Sequence, residues 1–270
     1  MSGGSVTESG GDYHRGFTLS ITKALADQLA AALAELTPAA LTDEKLALLK
    51  PRPGVYQLYL DGAFVYVGKA DSSLPDRLGQ HMRKISGRRG ISLDRLSFSC
   101  LYVEEDFSAL APEQLLINHH KGLGEIPWNN NGFGNKDPGR QRDHTVVKDN
   151  HFDGMYPIDL DLQVENAPVG ESNIRDLLER AKAGLPYLIR YERKNTAALD
   201  ELEGAAVTLN SPDITADELL TAVSAALPSR WQIVALKGYV IAYPDSPAAY
   251  DSALSYYRGG RKTTAGDYRG

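Results

Sequence analysis

The pair Asp61-Gly62 stands between two apolar runs, Val55–Leu60 and Ala63–Val67, and no other short stretch of the chain constrains its fold as strongly. Both residue types tolerate the left-handed backbone of a tight turn, so two antiparallel strands are expected on either side. The strands carry two similar triplets, Gly54-Val55-Tyr56 and Tyr66-Val67-Gly68. With a two-residue turn and unbroken register, Tyr56 pairs with Val67, and Tyr66 with Gln57. Paired residues share a face and neighbours alternate, so the two tyrosines would then point opposite ways. If they serve one site, the hairpin needs a bulged loop or another break in register.

Next comes Ser73-Leu74-Pro75-Asp76, an N-cap with a proline just inside a helix. Leu74, Leu78, Met82 and Ile85 form an apolar stripe on that helix, and Arg77 and His81, four apart, share one face. Leu96–Glu104 reads as a strand and Leu110–His120 as a helix, with Glu113 in register with Leu110 and Ile117. A carboxylate in an apolar line is normally paired, protonated or bound to metal. Between Gly122 and Asn135, four asparagines and four glycines favour turns over regular structure.

These residues together resemble the GIY-YIG nuclease superfamily, from Gly54 to about Asn129, with valine replacing isoleucine in both triplets. The order Tyr, Tyr, Arg, His, Glu, Asn carries the resemblance, and the run Trp128-Asn129-Asn130-Asn131-Gly132-Phe133-Gly134-Asn135-Lys136-Asp137-Pro138-Gly139 narrows it. It is similar to the type II restriction endonucleases that cut CCGCGG, although the stretch from Glu113 to Asn129 is several residues longer than in that branch. The resemblance implies a Mg²⁺- or Mn²⁺-dependent hydrolysis of DNA phosphodiesters. Glu113 would be the one protein carboxylate on the metal. Tyr56 would help deprotonate water. A free tyrosine has a pKa of about 10, so it needs a cation or a proton acceptor, roles open to Lys69 and His81. Arg77 would bind the phosphate, Tyr66 would hold water or substrate, and Asn129 would hydrogen-bond near the scissile phosphate. A palindromic target implies a homodimer or homotetramer on double-stranded DNA, with a cognate methyltransferase in the same cytoplasmic system.

Charge bears on the DNA expectation. The chain has a net charge of −6, yet between Arg77 and Arg95 there are six basic residues and one acid. Arg83, Lys84, Arg88 and Arg89 in that run, and Lys136, Arg140 and Arg142 beyond the asparagine loop, are the candidate DNA contacts. Their ordinary alternative is a solvated helix end and loop. Each site residue has one too: strand tyrosines pack, Arg77 and His81 cover a helix, Asn129 turns a loop, and Glu113 favours a helix N-terminus. The joint pattern favours function. Two other functions remain open, a GIY-YIG nuclease for repair or mobile elements and a DNA-binding module without catalysis. The adjacent pair His119-His120 is a poor metal site, because neighbouring helix residues point about 100° apart. Asp143-His144 and His151-Phe152-Asp153 lack ligand spacing to other groups.

The expected architecture is α/β in the α+β sense: a small antiparallel sheet flanked by helices, a helical N-terminal extension and a C-terminal α/β addition. Residues 1–16 are expected to be a disordered tail, 17–50 the extension, 51–158 the catalytic domain and 159–270 a unit of unknown role. Within the extension, Ile21, Leu25, Leu29 and Leu33 repeat every four, a stripe suited to packing or to a subunit contact. A short helix runs from the Thr42 cap to Leu49. In the last unit, helices are expected over Ser172–Ala183, Thr215–Leu227 and Ala248–Tyr257. Strands are expected over Leu185–Tyr191, Trp231–Leu236 and Tyr239–Tyr243, with Gly259–Gly270 as a tail. The single cysteine, Cys100, excludes an internal disulfide and reads as a buried core residue. No run is apolar enough to span a membrane.

Overall fold

The structure, a computed structural model, describes residues 21–103, 116–117, 126–129, 131–134, 139–244 and 249–268, without the side chains of 21–23. It is a mixed α+β chain with two main sheets.

The first sheet has the order β1-β4-β2-β3, all antiparallel. Its strands are β1 (Ala39–Ala40), β2 (Gly54–Leu60), β3 (Ala63–Ala70) and β4 (Leu96–Tyr102). Asp61 and Gly62 turn the hairpin at φ of 50° and 80°, as its tight two-residue form requires. The register then breaks. Leu60 pairs with Ala63 and Tyr59 with Phe64, but Leu58 pairs with Tyr66 and Tyr56 with Gly68. Val65 is the extra residue, and this bulge puts Tyr56 and Tyr66 on one face. The expected break in register is therefore present, in the strand rather than in the loop.

One face of this sheet is covered by α3 (Leu74–Ser86), whose Leu74, Leu78 and Ile85 pack with Tyr56, Leu58, Tyr66 and Phe98. Ser73 caps α3 by accepting from the Asp76 amide. The other face, Val55 and Val67, packs against Leu116 and Ile117 and against Leu29 and Leu33 of α1 (Ile21–Ala34). Leu29 and Leu33 therefore pack on the protein's own sheet, with Leu29 still partly exposed. Between α1 and the hairpin lies α2 (Asp43–Ala47), capped by Thr42 and shorter than expected. Cys100 is only partly buried, and burial pushes its thiol up to about 11.

A short α4 (Phe152–Met155) leads to the second unit. Its five-stranded sheet has the order β11-β10-β8-β9-β6, antiparallel except for β6 against β9. These strands are β6 (Ile189–Tyr191), β8 (Trp231–Leu236), β9 (Val240–Pro244), β10 (Ala253–Arg258) and β11 (Arg261–Thr264). α5 (Ile174–Gly184), α6 (Thr196–Gly204) and α7 (Ala216–Ala226) form the main core with the sheet, and β5 (Gly170–Asn173) pairs with β7 (Ala206–Leu209) beside them. Thr215 and Glu218 close a capping box on α7.

Three expectations fail in this unit. Ala248–Tyr257 holds a strand, not a helix, and the supposed tail is its hairpin partner. Gly259-Gly260, at φ of 56° and 75°, turns between Arg258 and Arg261, which pair. The sequence Ser252-Ala-Leu-Ser-Tyr-Tyr-Arg followed by two glycines is a hairpin pattern, and its alternation outweighs the alanines. The strand expected over Leu185–Tyr191 keeps only its last three residues, because Pro186 falls within the earlier part. α6, β5 and β7 were not foreseen.

Candidate active site

Tyr56 and Tyr66 sit side by side, ring centroids 6.1 Å apart, on the face that α3 covers. The closeness depends on Gly68. A Cβ there would meet the Tyr56 hydroxyl well inside contact distance and the Tyr66 ring at 2.7 Å. The last glycine of the second triplet thus makes room for both rings.

α3 brings two further groups to the same point. The Tyr56 hydroxyl lies 2.6 Å from Nε2 of His81, and Nε of Arg77 donates to that oxygen at 3.3 Å. Arg77 can only donate, so the phenol accepts from it, and its O–H faces Nε2 as a donor. His81 is buried, and its pKa is held well below the ordinary value by burial and then by the charges of Arg77 and Lys84. The ring is neutral and available as an acceptor. Burial opposes the Arg77 charge, but Tyr56 and then Tyr66 outweigh it and raise the guanidinium pKa. Among the described residues no carboxylate pairs with Arg77.

The loop residues Phe133 and Gly134 close over this cluster. Phe133 stacks on His81 at 4.6 Å and meets Tyr66 edge-on at 4.9 Å. A Cβ on Gly134 would lie 2.5 Å from the Tyr66 hydroxyl, so only glycine lets the loop approach so near. Lys84, two turns along α3 from Arg77, donates to the Gly132 and Phe133 carbonyls at 3.2 and 2.7 Å. Burial lowers its pKa to about 8, against the pull of Asp153. Tyr56 is fully buried and Tyr66 and His81 are nearly so. The cluster is shut in this conformation. Sequence reasoning missed the clasp of Lys84 and Phe133, although Arg77, His81 and Lys84, spaced by four and three, lie on one helical line.

Other expected site residues go elsewhere. Lys69 pairs in register with Val55, on the face opposite the tyrosines, and is bound to Asp71 at 2.9 Å. Arg77, not Lys69, is the cation at Tyr56. Asn129 is buried, and its amide clamps the main chain of Val67, accepting from the N–H and donating to the C=O, both at 2.9 Å. The Trp128 amide donates to Val65 in the same way. Asn129 therefore satisfies the edge of β3 instead of reaching for a phosphate. Glu113 and Lys136 lie outside the described residues, as does His119-His120. A metal fit through Glu113 thus has no described donor geometry.

The expected DNA-contacting cations are mostly spent within the chain. Arg88 is buried, pairs with Asp153 at 2.9 Å and donates to the Tyr156, Lys237 and Gly238 carbonyls. Arg89 bridges Asp159 and Asp161. Arg83 donates to the carbonyls of Ala183 and Leu185. These three tie α3 and the turn after it to the second unit, so the run is more than a solvated loop; Arg83 and Arg89 remain exposed. Arg140 pairs with Glu192 and stacks on Tyr243 at 4.1 Å. Arg142 is exposed and has no ion pair among the described residues.

No protein-family model matches the chain, and the comparison with curated proteins finds no similar one. Among the described residues no helix is long and apolar enough to cross a membrane.

Proposed function

We propose that the chain is a GIY-YIG endonuclease that hydrolyses phosphodiesters in double-stranded DNA, in the manner of a type II restriction enzyme with a GC-rich palindrome such as CCGCGG as its site. The observation that carries this reading is the convergence of Arg77 and His81 on the Tyr56 hydroxyl. A water beside the phenol passes a proton to Tyr56 as Tyr56 passes its own to His81; the hydroxide so formed attacks phosphorus as the bond to the 3′ oxygen breaks, and the departing oxygen takes a proton from solvent. Arg77, next to the same oxygen and without a carboxylate partner among the described residues, faces the negative charge that gathers on the phosphate. Tyr66 completes the wall. Bound at Glu113, a divalent cation would add charge neutralisation on the phosphate oxygens. Burial of Tyr56 means that DNA is cut only after residues 131–134 lift from His81 and Tyr66.

A palindromic target calls for two copies of the chain, and a restriction enzyme of this kind works in the cytoplasm beside a methyltransferase of the same specificity. Incubation of plasmid DNA with the protein and Mg²⁺ tests the proposal. Discrete fragments support it, and their ends give the recognition sequence. A smear assigns a loosely specific nuclease, and salt-sensitive binding without cutting assigns a non-catalytic module.

A further inference from the structure

Behind the Lys84 clasp, where α3 meets the second unit, lies a cavity of about 430 Å³, a volume suited to a small ligand. Its wall carries six cationic side chains, Arg83, Lys84, Arg88, Arg142, Lys182 and Lys237, against one carboxylate, Asp153, already held by Arg88. That balance is unusual in a chain of net charge −6. Arg142, Lys182 and Lys237 have no ion pair among the described residues. Among the described residues three buried polar atoms of the wall also lack a hydrogen-bond partner: Nε of Arg88, the Tyr187 hydroxyl and Oδ1 of Asp153, the last of these facing Arg88 across their ion pair. Leaving such groups unmatched is costly.

The unmatched Arg88 Nε–H can only donate, and the phenol of Tyr187 stays neutral, since burial raises its pKa. With the lysine ammoniums they call for an occupant rich in acceptors and carrying more than one negative charge. Tyr187, Tyr239, Leu185 and Pro186 add an aromatic and apolar wall against which a flat ring packs. We propose that this cavity binds a phosphate ester of nucleotide size, with the phosphate among Lys182, Lys237 and Arg88 and the ring against the tyrosines. The site is separate from Tyr56 and holds whether or not that centre cuts DNA. It shares one element with it: Lys84 lines the cavity and holds the loop that places Phe133 on His81.

Calorimetric titration of the full chain with adenosine 5′-monophosphate, with inorganic phosphate and with adenosine tests the assignment. The nucleotide is expected to bind one per chain, phosphate more weakly, and adenosine weakest. The double variant Lys182→Ala/Lys237→Ala, changed at partly exposed positions, should keep its circular dichroism spectrum and lose at least about tenfold in nucleotide affinity, the size of one charge-assisted bond. Tyr187→Phe should weaken the nucleotide several-fold without lowering the unfolding midpoint, because the hydroxyl it removes has no partner among the described residues. Competition with a short single-stranded oligonucleotide separates the sources. Displacement of the nucleotide places a DNA residue in the cavity, and no displacement assigns a free nucleotide. Nucleotide and phosphate binding that is absent, or unchanged in the lysine double variant, overturns the proposal.

Discussion

The hydroxyl of Tyr56 lies 2.6 Å from Nε2 of His81, while Nε of Arg77 reaches the same oxygen from the previous turn of one helix. One phenol is thus placed between a neutral proton acceptor and a fixed positive charge. Arg77→Lys keeps the charge but loses the planar donors. It should lower the rate of DNA cleavage about a hundredfold at saturating DNA, with the fold intact by circular dichroism. An unchanged rate would remove Arg77 from the reaction.

His81 gives the protein a defined pH dependence. Its folded pKa is depressed, by burial first and by the Arg77 and Lys84 charges next, whereas the unfolded value is about 6.5. Between the two, the unfolded chain holds a proton that the folded chain refuses. Stability is therefore full above about pH 6.5 and falls as the pH drops below it, by at most about 1.4 kcal/mol per unit for this group. Urea unfolding between pH 8 and 5 should show this slope, and His81→Gln should flatten it. His151 is depressed in the same direction, so part of the slope persists.

Gly68→Ala puts a methyl group into the Tyr56 hydroxyl and the Tyr66 ring. The strand can shift only by disturbing its pairs with β2, so a loss of about 1–3 kcal/mol is expected. Cleavage should fall further than stability does, because both tyrosines move. Denaturant titration and a cleavage assay on the same sample separate the two effects.

Asn129 is expected to act on folding rather than on phosphate. Asn129→Ala leaves the Val67 N–H and C=O without partners and should cost about 1–3 kcal/mol in urea unfolding. Asn129→Asp retains an acceptor for the N–H but sets a carboxylate against the carbonyl, and should be no more stable than Ala. Wild-type stability in both, with cleavage alone lost, would return Asn129 to the reaction centre.

Arg88 poses the same question for the basic run. As the buried partner of Asp153, its change to Met should cost about 3–5 kcal/mol by leaving a carboxylate uncompensated. A phosphate contact would instead leave stability untouched and reduce the salt slope of DNA binding by about one.

Local rules account for what was legible in the sequence. Asp61-Gly62 fixed the hairpin, Ser73 and Thr42 marked helix starts, and the requirement that two tyrosines share a site implied the break that Val65 supplies. Long-range partners were hidden. Nothing near Asn129 in the chain announces Val67 as its partner, and nothing near Arg88 announces Asp153, 65 residues on. Charge density alone therefore pointed outward, to DNA, although much of it is paired within the chain. The final hairpin is marked by the Gly259-Gly260 turn between the paired Arg258 and Arg261, a local signal stronger than the helix expected over Ala248–Tyr257.

The account rests on proton transfer through the Tyr56 hydroxyl. The most direct measurement is the single-turnover rate on a duplex carrying the site recovered from plasmid fragments, for wild type and Tyr56→Phe. Phe retains the buried ring and removes only the oxygen that His81 and Arg77 address. A fall of at least about a hundredfold with unchanged DNA affinity is predicted. Cleavage by Tyr56→Phe at the wild-type rate would contradict the account.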